Sequence, residues 1–399
     1  MLGYKSSTGW KLGGTALLAT MVAAAMALVA HACAAGPGVA LAPAPAAVPA
    51  EVETSLYLIG DAGEPAPEGE PVLAALGRDL LAAPGEKVVV FLGDNIYPRG
   101  MPDSASPLRA DAERRLLAQV DAARLGGARA FFVPGNHDWA KLRQDGWDAI
   151  RRQEAYLVSL RQPGISMIPS GGCPGPAVEP LGSAVQLIAL DTQWWLHAGP
   201  KPFHPTSSCA ADNEQELTDS LRSTLAAAAG RIVVVVAHHP LMASGPHGGH
   251  FPWTDHVFPL RFLADWLWLP LPIVGSAYPL TRKVGLIPQD LAHADYKRMR
   301  QALEEVLEPA RPLVMAGGHE HVLEVLTGRA SQFVLVSGGG YYGHTTPVGH
   351  RQETLFARSA SGFMRLDVTR DRRVRLAVIV VDAEGRGTEA YGAWLKEGS

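Results

Sequence analysis

Polar side chains with metal-binding chemistry follow five apolar runs of this sequence, each at the point where the run ends. The five motifs are Gly60-Asp61-Ala62-Gly63, Gly93-Asp94-Asn95-Ile96-Tyr97, Pro134-Gly135-Asn136-His137-Asp138, His238-His239-Pro240 and Gly317-Gly318-His319-Glu320-His321. Carboxylates, neutral imidazoles and amide or phenol oxygens, without a thiolate, suit Fe, Mn or Zn rather than a soft ion. A carboxylate shared by two ions would hold them about 3.5 to 4 Å apart, the spacing of two-metal hydrolytic sites. One Gly-Asp or one His-x-His is ordinary, but this conjunction indicates a metal site.

The apolar runs before these motifs must be strands that end at a common edge. They alternate with amphipathic segments, which predicts an α/β protein, and ligands of such proteins bind at the carboxyl ends of the strands. Strands are predicted over 56–59, 88–92, 130–133, 185–190, 232–237 and 313–316, and then over 322–326, 333–336, 363–368 and 374–381. Helices are predicted over 72–82, 111–123, 147–160, 214–229 and 290–307. One α/β domain, with two central sheets covered by helices, would bring the motifs into one crevice.

Residues 251–288 interrupt this alternation. The segment is rich in Trp, Leu and Pro and has neither a helical nor a strand period, and its apolar centre includes Trp266, Trp268 and Ile273. Two interpretations stay open. The segment is either an excursion packed on the domain surface or a lid or apolar wall over the site, since long irregular loops in compact domains are often functional.

Charge and composition exclude several classes of protein. The chain has 35 basic and 39 acidic residues, a formal net charge of −4 and a hydrophobic fraction of 47%. This composition supports a large buried core and offers no electrostatic footprint for nucleic acid and no basic membrane surface. Ser244-Gly245 lacks the Gly-x-Ser-x-Gly elbow of serine hydrolases.

The first fifty residues predict export. Lys5 and Lys11 precede an apolar run over 15–30, and Ala30-His31-Ala32 stands directly before Cys33. This order predicts a signal peptide over 1–32, an Ala/Pro-rich linker over 33–53 and a folded domain over 54–399. Cys33 also fits the end of a bacterial lipobox, so a lipid anchor, simple secretion and an uncleaved membrane anchor are the alternatives. All three send the domain to the bacterial periplasm or cell envelope.

The two remaining cysteines are predicted to pair. Cys173 and Cys209 lie in loops that flank the strand over 185–190. In an oxidising compartment such a pair can form a disulfide. Two independent thiols are the alternative.

The five motifs resemble those of the calcineurin-like metallophosphoesterases, over residues 56–321. Many members of that superfamily have a histidine two residues after the first aspartate, where this chain has Gly63. Tyr97, three residues after Asp94, instead resembles the purple acid phosphatase branch, in which a tyrosinate replaces that imidazole and favours Fe(III). The resemblance implies a four-layer α/β/β/α sandwich with two central mixed sheets.

The resemblance also implies a ligand set and a reaction. The first, ferric ion would be bound by Asp61, Tyr97 and His321, the second, divalent ion (Fe, Zn or Mn) by Asn136, His238 and His319, and Asp94 would bridge them. A hydroxide that metal coordination provides near neutral pH would attack phosphorus in line, and His137 or His247 would protonate the leaving alkoxide. The implied activity is acid phosphatase-like hydrolysis of small phosphate monoesters.

Three neighbouring residues are expected to support these ligands. His239 is expected to pack behind the ligands or to hydrogen-bond to them, and Asp138 to orient an imidazole. Asn95 either reaches a phosphate oxygen or stabilises its own turn.

Two other functions stay open at this point. A phosphodiesterase acting on nucleotide or lipid headgroup esters is the first alternative, because the same dinuclear core serves both ester types and the insertion departs from the small phosphatases. A non-catalytic metal-binding envelope protein is the second, and the full set of ligand-type residues argues against it.

Overall fold

The computed structural model describes residues 44–203, 205, 207–262, 264 and 266–397. The predicted signal peptide and Cys33 lie outside this part of the chain. Arg375 donates hydrogen bonds to the carbonyl groups of Ala44 and Pro45, and the first strand begins at Val52. The last residues of the predicted linker therefore contact the folded domain.

Within the described residues, two mixed seven-stranded sheets form the centre of the fold. The strands are β1 (Val52–Ile59), β2 (Glu86–Phe91), β3 (Arg129–Phe132), β4 (Ile165–Met167), β5 (Ala177–Leu181), β6 (Val185–Ala189), β7 (Ile232–Val236), β8 (Val314–Gly317), β9 (Leu323–Thr327), β10 (Phe333–Ser337), β11 (Thr354–Arg358), β12 (Gly362–Thr369), β13 (Val374–Val381) and β14 (Gly387–Lys396). The first sheet has the order β14-β13-β12-β1-β2-β3-β4, and the second has the order β11-β9-β10-β8-β7-β6-β5. Strands β1 to β4 are parallel to one another, as are β6, β7, β8 and β10.

Helices cover the outer faces of both sheets, and two more lie in the inserted segment over 251–288. They are α1 (Pro71–Ala82), α2 (Arg109–Leu125), α3 (Gly146–Ser159), α4 (Thr192–Leu196), α5 (Glu214–Ala227), α6 (Trp253–Val257), α7 (Pro272–Lys283) and α8 (Ala294–Ala310). All five predicted helices are present, but the last of them begins at Ala294 rather than at residue 290.

Alternation along the strands explains the layers. Successive side chains of a strand point to opposite faces. Leu56 and Leu58 of β1 belong to the core between the sheets, with Leu187 and Val234 of the second sheet. Tyr57 and its β1 neighbours on the other face pack in the core beneath the helices. The predicted α/β/β/α sandwich is confirmed.

The inserted segment over 251–288 contains two helices, which the sequence did not predict. They are α6 and α7, and Pro279 lies inside α7. Two prolines in α7 and the exposure of its apolar residues, with Gly275, Pro279 and Arg282 on the buried side, reverse the usual helical signal in the sequence. Among the described residues no helix combines the length and apolar character needed to cross a membrane.

A disulfide joins Cys173 to Cys209, with the two Cα atoms 5.4 Å apart. The prediction of this pair is confirmed. The bridge connects the loop before β5 to the loop after the short helix α4.

Candidate metal centre

Five strands end at one edge of the sandwich and carry the predicted ligands there. The motifs follow β1, β2 and β3 of the first sheet and β7 and β8 of the second sheet. Backbone hydrogen bonds join the two sheets at this edge, for example from Gly60 N to the carbonyl oxygen of Ser337 at 2.7 Å. The seven predicted ligands therefore lie in one cluster, and the cluster has two halves.

The first half contains four ligand atoms within hydrogen-bonding distance of one another. The hydroxyl of Tyr97 lies 3.1 Å from Oδ1 of Asp61, 3.3 Å from Oδ2 of Asp94 and 3.3 Å from Nε2 of His321. Nε2 of His321 is 3.4 Å from Oδ1 of Asp61. Burial and the two carboxylates raise the pKa of Tyr97 well above its usual range. A tyrosinate at this position therefore needs cations beside it, which fits a metal site.

The second half is centred on the side-chain oxygen of Asn136. Oδ1 of Asn136 lies 3.0 Å from Nε2 of His238 and 3.1 Å from Nδ1 of His319. Oδ2 of Asp94 is 3.5 Å from Nε2 of His238. The same oxygen approaches Tyr97, so the Asp94 carboxylate lies between the two halves.

Hydrogen bonds to backbone carbonyls fix the ring orientation of two histidines. Nδ1 of His238 lies 2.8 Å from the carbonyl oxygen of Leu92, and Nε2 of His319 lies 2.9 Å from that of Gln289. A ring nitrogen that donates to a carbonyl leaves the other nitrogen unprotonated for a metal ion. In both rings that other nitrogen faces Asn136, as a ligand set requires.

The carboxylates make this centre attractive to cations. Burial alone would lower the pKa of His238, but the charge and hydrogen bond of Asp94 and the charge of Asp61 raise it to about 9, so a cation that binds Nε2 takes the place of a proton there. A group of Asp61, Asp94 and His238 also satisfies the distance requirement for holding one ion.

The backbone is strained where the ligands leave their strands. Asp61, Asp94 and His319 have φ angles of 60°, 55° and 69°, which non-glycine residues seldom adopt. Such conformations cluster at functional sites, where the surrounding structure over-determines them. Glycine at position 135 is required by space, because a Cβ atom there would collide with the Asp94 carboxylate.

At Gly63, where the resemblance leads one to expect a histidine, the structure leaves no room for a side chain. A Cβ atom at Gly63 would collide with the backbone of residues 94–96. The amide of Tyr97 donates to the carbonyl of Gly63 at 3.1 Å. The loop that closes over Gly63 therefore delivers the Tyr97 hydroxyl to the cluster.

His137 lies beside the shared carboxylate. Its backbone N–H donates to Oδ1 of Asp94 at 2.7 Å, and its Nδ1 lies 2.9 Å from the carbonyl oxygen of Pro98. Its ring packs on that of Tyr97, with centroids 4.2 Å apart. Burial lowers the pKa of His137, and the charge of Asp94 opposes this. The Nε2 atom, 3.8 Å from Oδ2 of Asp94, is the nitrogen available to a substrate.

His247 reaches the same cavity from the opposite side and is oriented by Asp290. Its ring centroid lies 4.0 Å from that of His319. Nδ1 of His247 is 2.8 Å from Oδ1 of Asp290 and 2.7 Å from Nη2 of Arg282. A guanidinium can only donate and a carboxylate can only accept, so a protonated Nδ1 donates to Asp290 and an unprotonated Nδ1 accepts from Arg282, and Arg282 pairs with the same carboxylate. Burial lowers the pKa of His247, and its hydrogen bond to Asp290 opposes this.

His239 has both ring nitrogens engaged away from the cluster. Nδ1 lies 2.9 Å from the hydroxyl of Thr192 and Nε2 lies 2.8 Å from Oε1 of Gln289. It is close enough to His238 and His319 to complete a metal-binding triangle. These two hydrogen bonds argue against that role and agree with the predicted supporting role.

The expectation that Asp138 orients an imidazole is wrong. Its carboxylate accepts hydrogen bonds from the backbone N–H groups of Asn95, Ile96 and Gly135 and from the side chain of Asn95. Asp138 thereby holds together the loops that carry Asp94 and Asn136. The Asn95 side chain also donates to Val133 O, so Asn95 stabilises its turn rather than facing the cavity.

A cavity of about 510 Å³ opens over the cluster. Its walls include four residues that the sequence analysis did not single out, namely Tyr278, Arg282, Gln289 and His344. The ring of His344 lies 4.2 Å from that of His321. His344 follows the predicted strand over 333–336 after a glycine-rich turn, and that position could have identified it. The insertion therefore forms part of the cavity wall, as one of the two interpretations expected.

Comparisons with known proteins support the fold and the family. The model of the calcineurin-like phosphoesterases matches residues 54–323. The solved structure of GAP50, the anchor in the inner membrane complex of Plasmodium, is similar with a TM-score of 0.56 and 14% identity, over 87% of this chain and 89% of that one. Purple acid phosphatase PPD1 from yellow lupin (Lupinus luteus) seeds is similar with a TM-score of 0.51 and 11% identity, over 85% of this chain and 53% of that one.

At such low identity, these two structures support the fold alone. No curated protein sequence gives a significant match. The family model covers well over half of the chain and includes all five motifs. The chain therefore belongs to the calcineurin-like phosphoesterase family.

Proposed function

We propose that this protein is an exported hydrolase of phosphate monoesters that works with two metal ions. The observation that carries the proposal is the position of Asp94, whose Oδ2 atom lies 3.3 Å from the Tyr97 hydroxyl and 3.5 Å from Nε2 of His238. A site retained for stability alone would have no need of a carboxylate shared between two ligand groups.

The side chains present fit a pair of ions. Asp61, Tyr97 and His321 would hold the first ion, Asn136, His238 and His319 would hold the second, and Asp94 would contact both. When bound, two such ions supply a hydroxide nucleophile near neutral pH and neutralise charge on the phosphoryl oxygens. We propose Fe(III) beside Tyr97 and divalent Fe, Zn or Mn at the second position, since a phenolate favours the ferric ion.

His137 and His247, which are outside the proposed ligand set, would contact the phosphate and donate the proton. His137 presents Nε2 to the cavity while Nδ1 donates to Pro98 O, which suits a hydrogen bond to a phosphoryl oxygen. His247 is held by Asp290, as the imidazole of a proton donor requires. We propose His247 as the group that gives a proton to the leaving alkoxide and His137 as the phosphate contact or alternative donor.

Asp94→Ala and Asn136→Ala test the activity. Each is expected to abolish hydrolysis of para-nitrophenyl phosphate and to lower the metal content, with the far-UV circular dichroism spectrum preserved. Asp295→Asn, in an exposed carboxylate at the start of α8, serves as the matched control. Near-normal turnover in either alanine variant would sink the proposal.

Tyr97→Phe tests the metal assignment separately. With iron bound, the wild type is expected to show visible charge-transfer absorbance that this variant loses. A colourless, active wild type with zinc at both positions would refute the ferric assignment and leave the hydrolase proposal standing.

A phosphodiesterase is the second candidate. The cavity wall formed by Tyr278, Arg282 and Ile287 adds surface that a second ester group could contact. Hydrolysis of bis(para-nitrophenyl) phosphate faster than that of the monoester would favour it. Metal content without turnover of either ester would instead favour the non-catalytic envelope protein.

Export is the remaining part of the proposal. The signal peptide over 1–32, the linker over 33–53 and the domain over 54–399 are supported by the sequence pattern, and the Cys173–Cys209 disulfide is consistent with an oxidising compartment. Mass spectrometry of the protein from a bacterial envelope fraction would identify the mature N-terminus. An acylated Cys33 would establish the lipid anchor, and an intact Met1 would exclude cleavage.

A further inference from the structure

We propose that the outer face of the insertion docks onto a lipid bilayer with anionic headgroups and turns the mouth of the metal-site cavity toward it. This insertion face consists of Trp266, Trp268, Ile273, Leu280, Val284 and Leu286. The substrate class that follows, a phosphate ester carried by a lipid, rests on the proposed function. The docking itself does not.

Helix α7 carries apolar residues on the side that faces water. Its inward side consists of Gly275, Pro279 and Arg282, which are buried. The outward side carries Ile273 and Leu280, seven residues apart, and Val284 directly after the helix, and Ile273 is 89% exposed. A surface helix of a water-soluble protein normally has charged or polar residues on this side. The outer side of α7 therefore calls for an apolar or interfacial environment.

Two tryptophans of the insertion are exposed as well. Trp266 is 77% exposed and Trp268 is 55% exposed, whereas Trp139, Trp194 and Trp195 of the domain core are buried. Exposed tryptophans are enriched where a protein meets the headgroup region of a membrane, because one part of the ring is apolar and the N–H is polar.

Charge favours a bilayer with anionic headgroups as the occupant. Residues 266–289 contain no acidic residue, and of their two cations Arg282 is buried and paired with Asp290, so Lys283 is the one exposed beside the apolar residues. Lys283 is exposed at the end of α7, and Arg261 packs over the ring of Trp268, with Cζ 4.3 Å from the ring centroid. An apolar face bordered by cationic side chains is typical of helices that lie in the interface of anionic membranes.

The insertion face is continuous with the cavity. Ile287 directly follows Leu286 and lines the cavity with Tyr278 and Arg282, beside His247. A bilayer on this face would present phosphate groups next to these cavity residues, which favours the bilayer as the occupant.

Vesicle flotation tests the docking. The full chain is produced with Cys33→Ser, so that no acyl chain contributes, and is mixed with vesicles of phosphatidylethanolamine and phosphatidylglycerol (3:1). We expect the protein to float with these vesicles. Ile273→Ser combined with Leu280→Ser is expected to weaken partitioning about tenfold or more, because two aliphatic side chains that would be buried in the bilayer are lost. Leu108→Ser combined with Val158→Ser is the matched control, because both residues are more than 60% exposed outside the insertion. The control is expected to bind like the parent.

Tryptophan fluorescence gives an independent measurement. Brominated lipids are expected to quench the emission of the parent, and Trp266→Phe combined with Trp268→Phe is expected to remove that quenching. Equal flotation of the Ile273/Leu280 variant and its control would overturn the proposal. So would a parent that does not float, or one that forms a dimer which the Ile273/Leu280 variant abolishes.

Two activities separate the docking from the proposed function. Turnover of soluble para-nitrophenyl phosphate is expected to be the same in the parent and the Ile273/Leu280 variant, which also shows that the variant folds. Turnover of phosphatidic acid in the same vesicles is expected to fall about tenfold in the variant. Vesicle binding without turnover of any phosphate ester would remove the proposed function and keep the docking. Turnover that falls equally on both substrates would overturn the link to a lipid-borne substrate.

Discussion

Asp290→Asn is expected to lower kcat and the free energy of unfolding together, because one buried carboxylate serves both His247 and Arg282. Oδ1 of Asp290 lies 2.8 Å from Nδ1 of His247, and Nε of Arg282 donates to both carboxylate oxygens at 3.0 and 3.1 Å. Asp290 is fully buried and Arg282 is 8% exposed. The amide keeps one acceptor oxygen but turns an N–H group toward donors.

The size of both effects follows from these contacts. Removing one partner of a buried ion pair costs about 3–5 kcal/mol, because the other charge is left uncompensated. Arg282 also contacts the Tyr278 hydroxyl at 3.3 Å, and the new amide oxygen still accepts one hydrogen bond, so we expect about 2–3 kcal/mol. Loss of the group that orients a catalytic imidazole typically costs about 10–100-fold in activity, or about 1.4–2.7 kcal/mol of activation free energy.

Steady-state kinetics with two leaving groups are the assay. If His247 protonates the leaving alkoxide, kcat should fall more for an alkyl phosphate than for para-nitrophenyl phosphate, with KM changed little. Urea unfolding gives the stability change. Asp295→Asn is the control, because Asp295 lies 3.7 Å from Nδ1 of His293 in an exposed His–Asp pair. A wild-type kcat on the alkyl ester at reduced stability would show that Asp290 only anchors the insertion.

Three further changes probe the loops and the core. Gly63→Ala is expected to lower the free energy of unfolding by about 3 kcal/mol or more and to weaken metal binding, because its Cβ meets the backbone of the Tyr97 loop. The control Gly127→Ala, with open space and φ of +67°, should cost about 1 kcal/mol. Equal urea midpoints of the two variants would contradict this. Burial raises the pKa of Asp191 to about 7, so the folded state holds this proton more tightly than the unfolded state; its stabilising contribution is present below about pH 4 and is lost as the pH rises to about 7. Asp191→Asn should therefore reduce the difference in unfolding free energy between pH 4 and pH 8 by about 2–4 kcal/mol. An unchanged difference would show that Asp191 is not a source of this pH dependence. Cys173→Ser with Cys209→Ser should cost about 3–4 kcal/mol, from a separation of 36 residues, and an unshifted thermal midpoint would refute the stabilising role of the bridge.

The central strands and their terminal motifs could be predicted because burial on both faces gives long apolar runs. Strands β4, β5, β11 and β14 were missed, and they are the four edge strands of the two sheets in the described part of the chain. Their side chains are mostly half-buried or exposed, so the sequence of these strands lacks a clear alternation of apolar and polar residues or a continuous apolar run.

The loop residues that orient the histidines of the site could not be predicted from the sequence. Gln289 lay next to the predicted helix over 290–307, and nothing in its type indicates that its carbonyl binds His319. Asp290 was assigned to that helix, but the helix begins at Ala294 with His293 as its N-cap. The motifs predicted which side chains converge, whereas the partners that orient those side chains depend on how an irregular segment returns to the domain.

The point at which the insertion rejoins the domain, at Gln289 and Asp290, has a consequence for how relatives of this chain can differ. Two consecutive residues, Gln289 and Asp290, contact His247 and His319 of the cavity and the buried His239, while most of the insertion before them contacts solvent. The outer part can therefore change in length or composition without moving these histidines, provided that the chain keeps Arg282, which pairs with Asp290 and lies 2.7 Å from His247, and comes back through this dipeptide. Deleting the insertion together with the dipeptide would release His247, His319 and His239 at once. The fixed part of the chain thus includes Arg282 as well as Gln289 and Asp290, and the exchangeable part of the insertion lies before it.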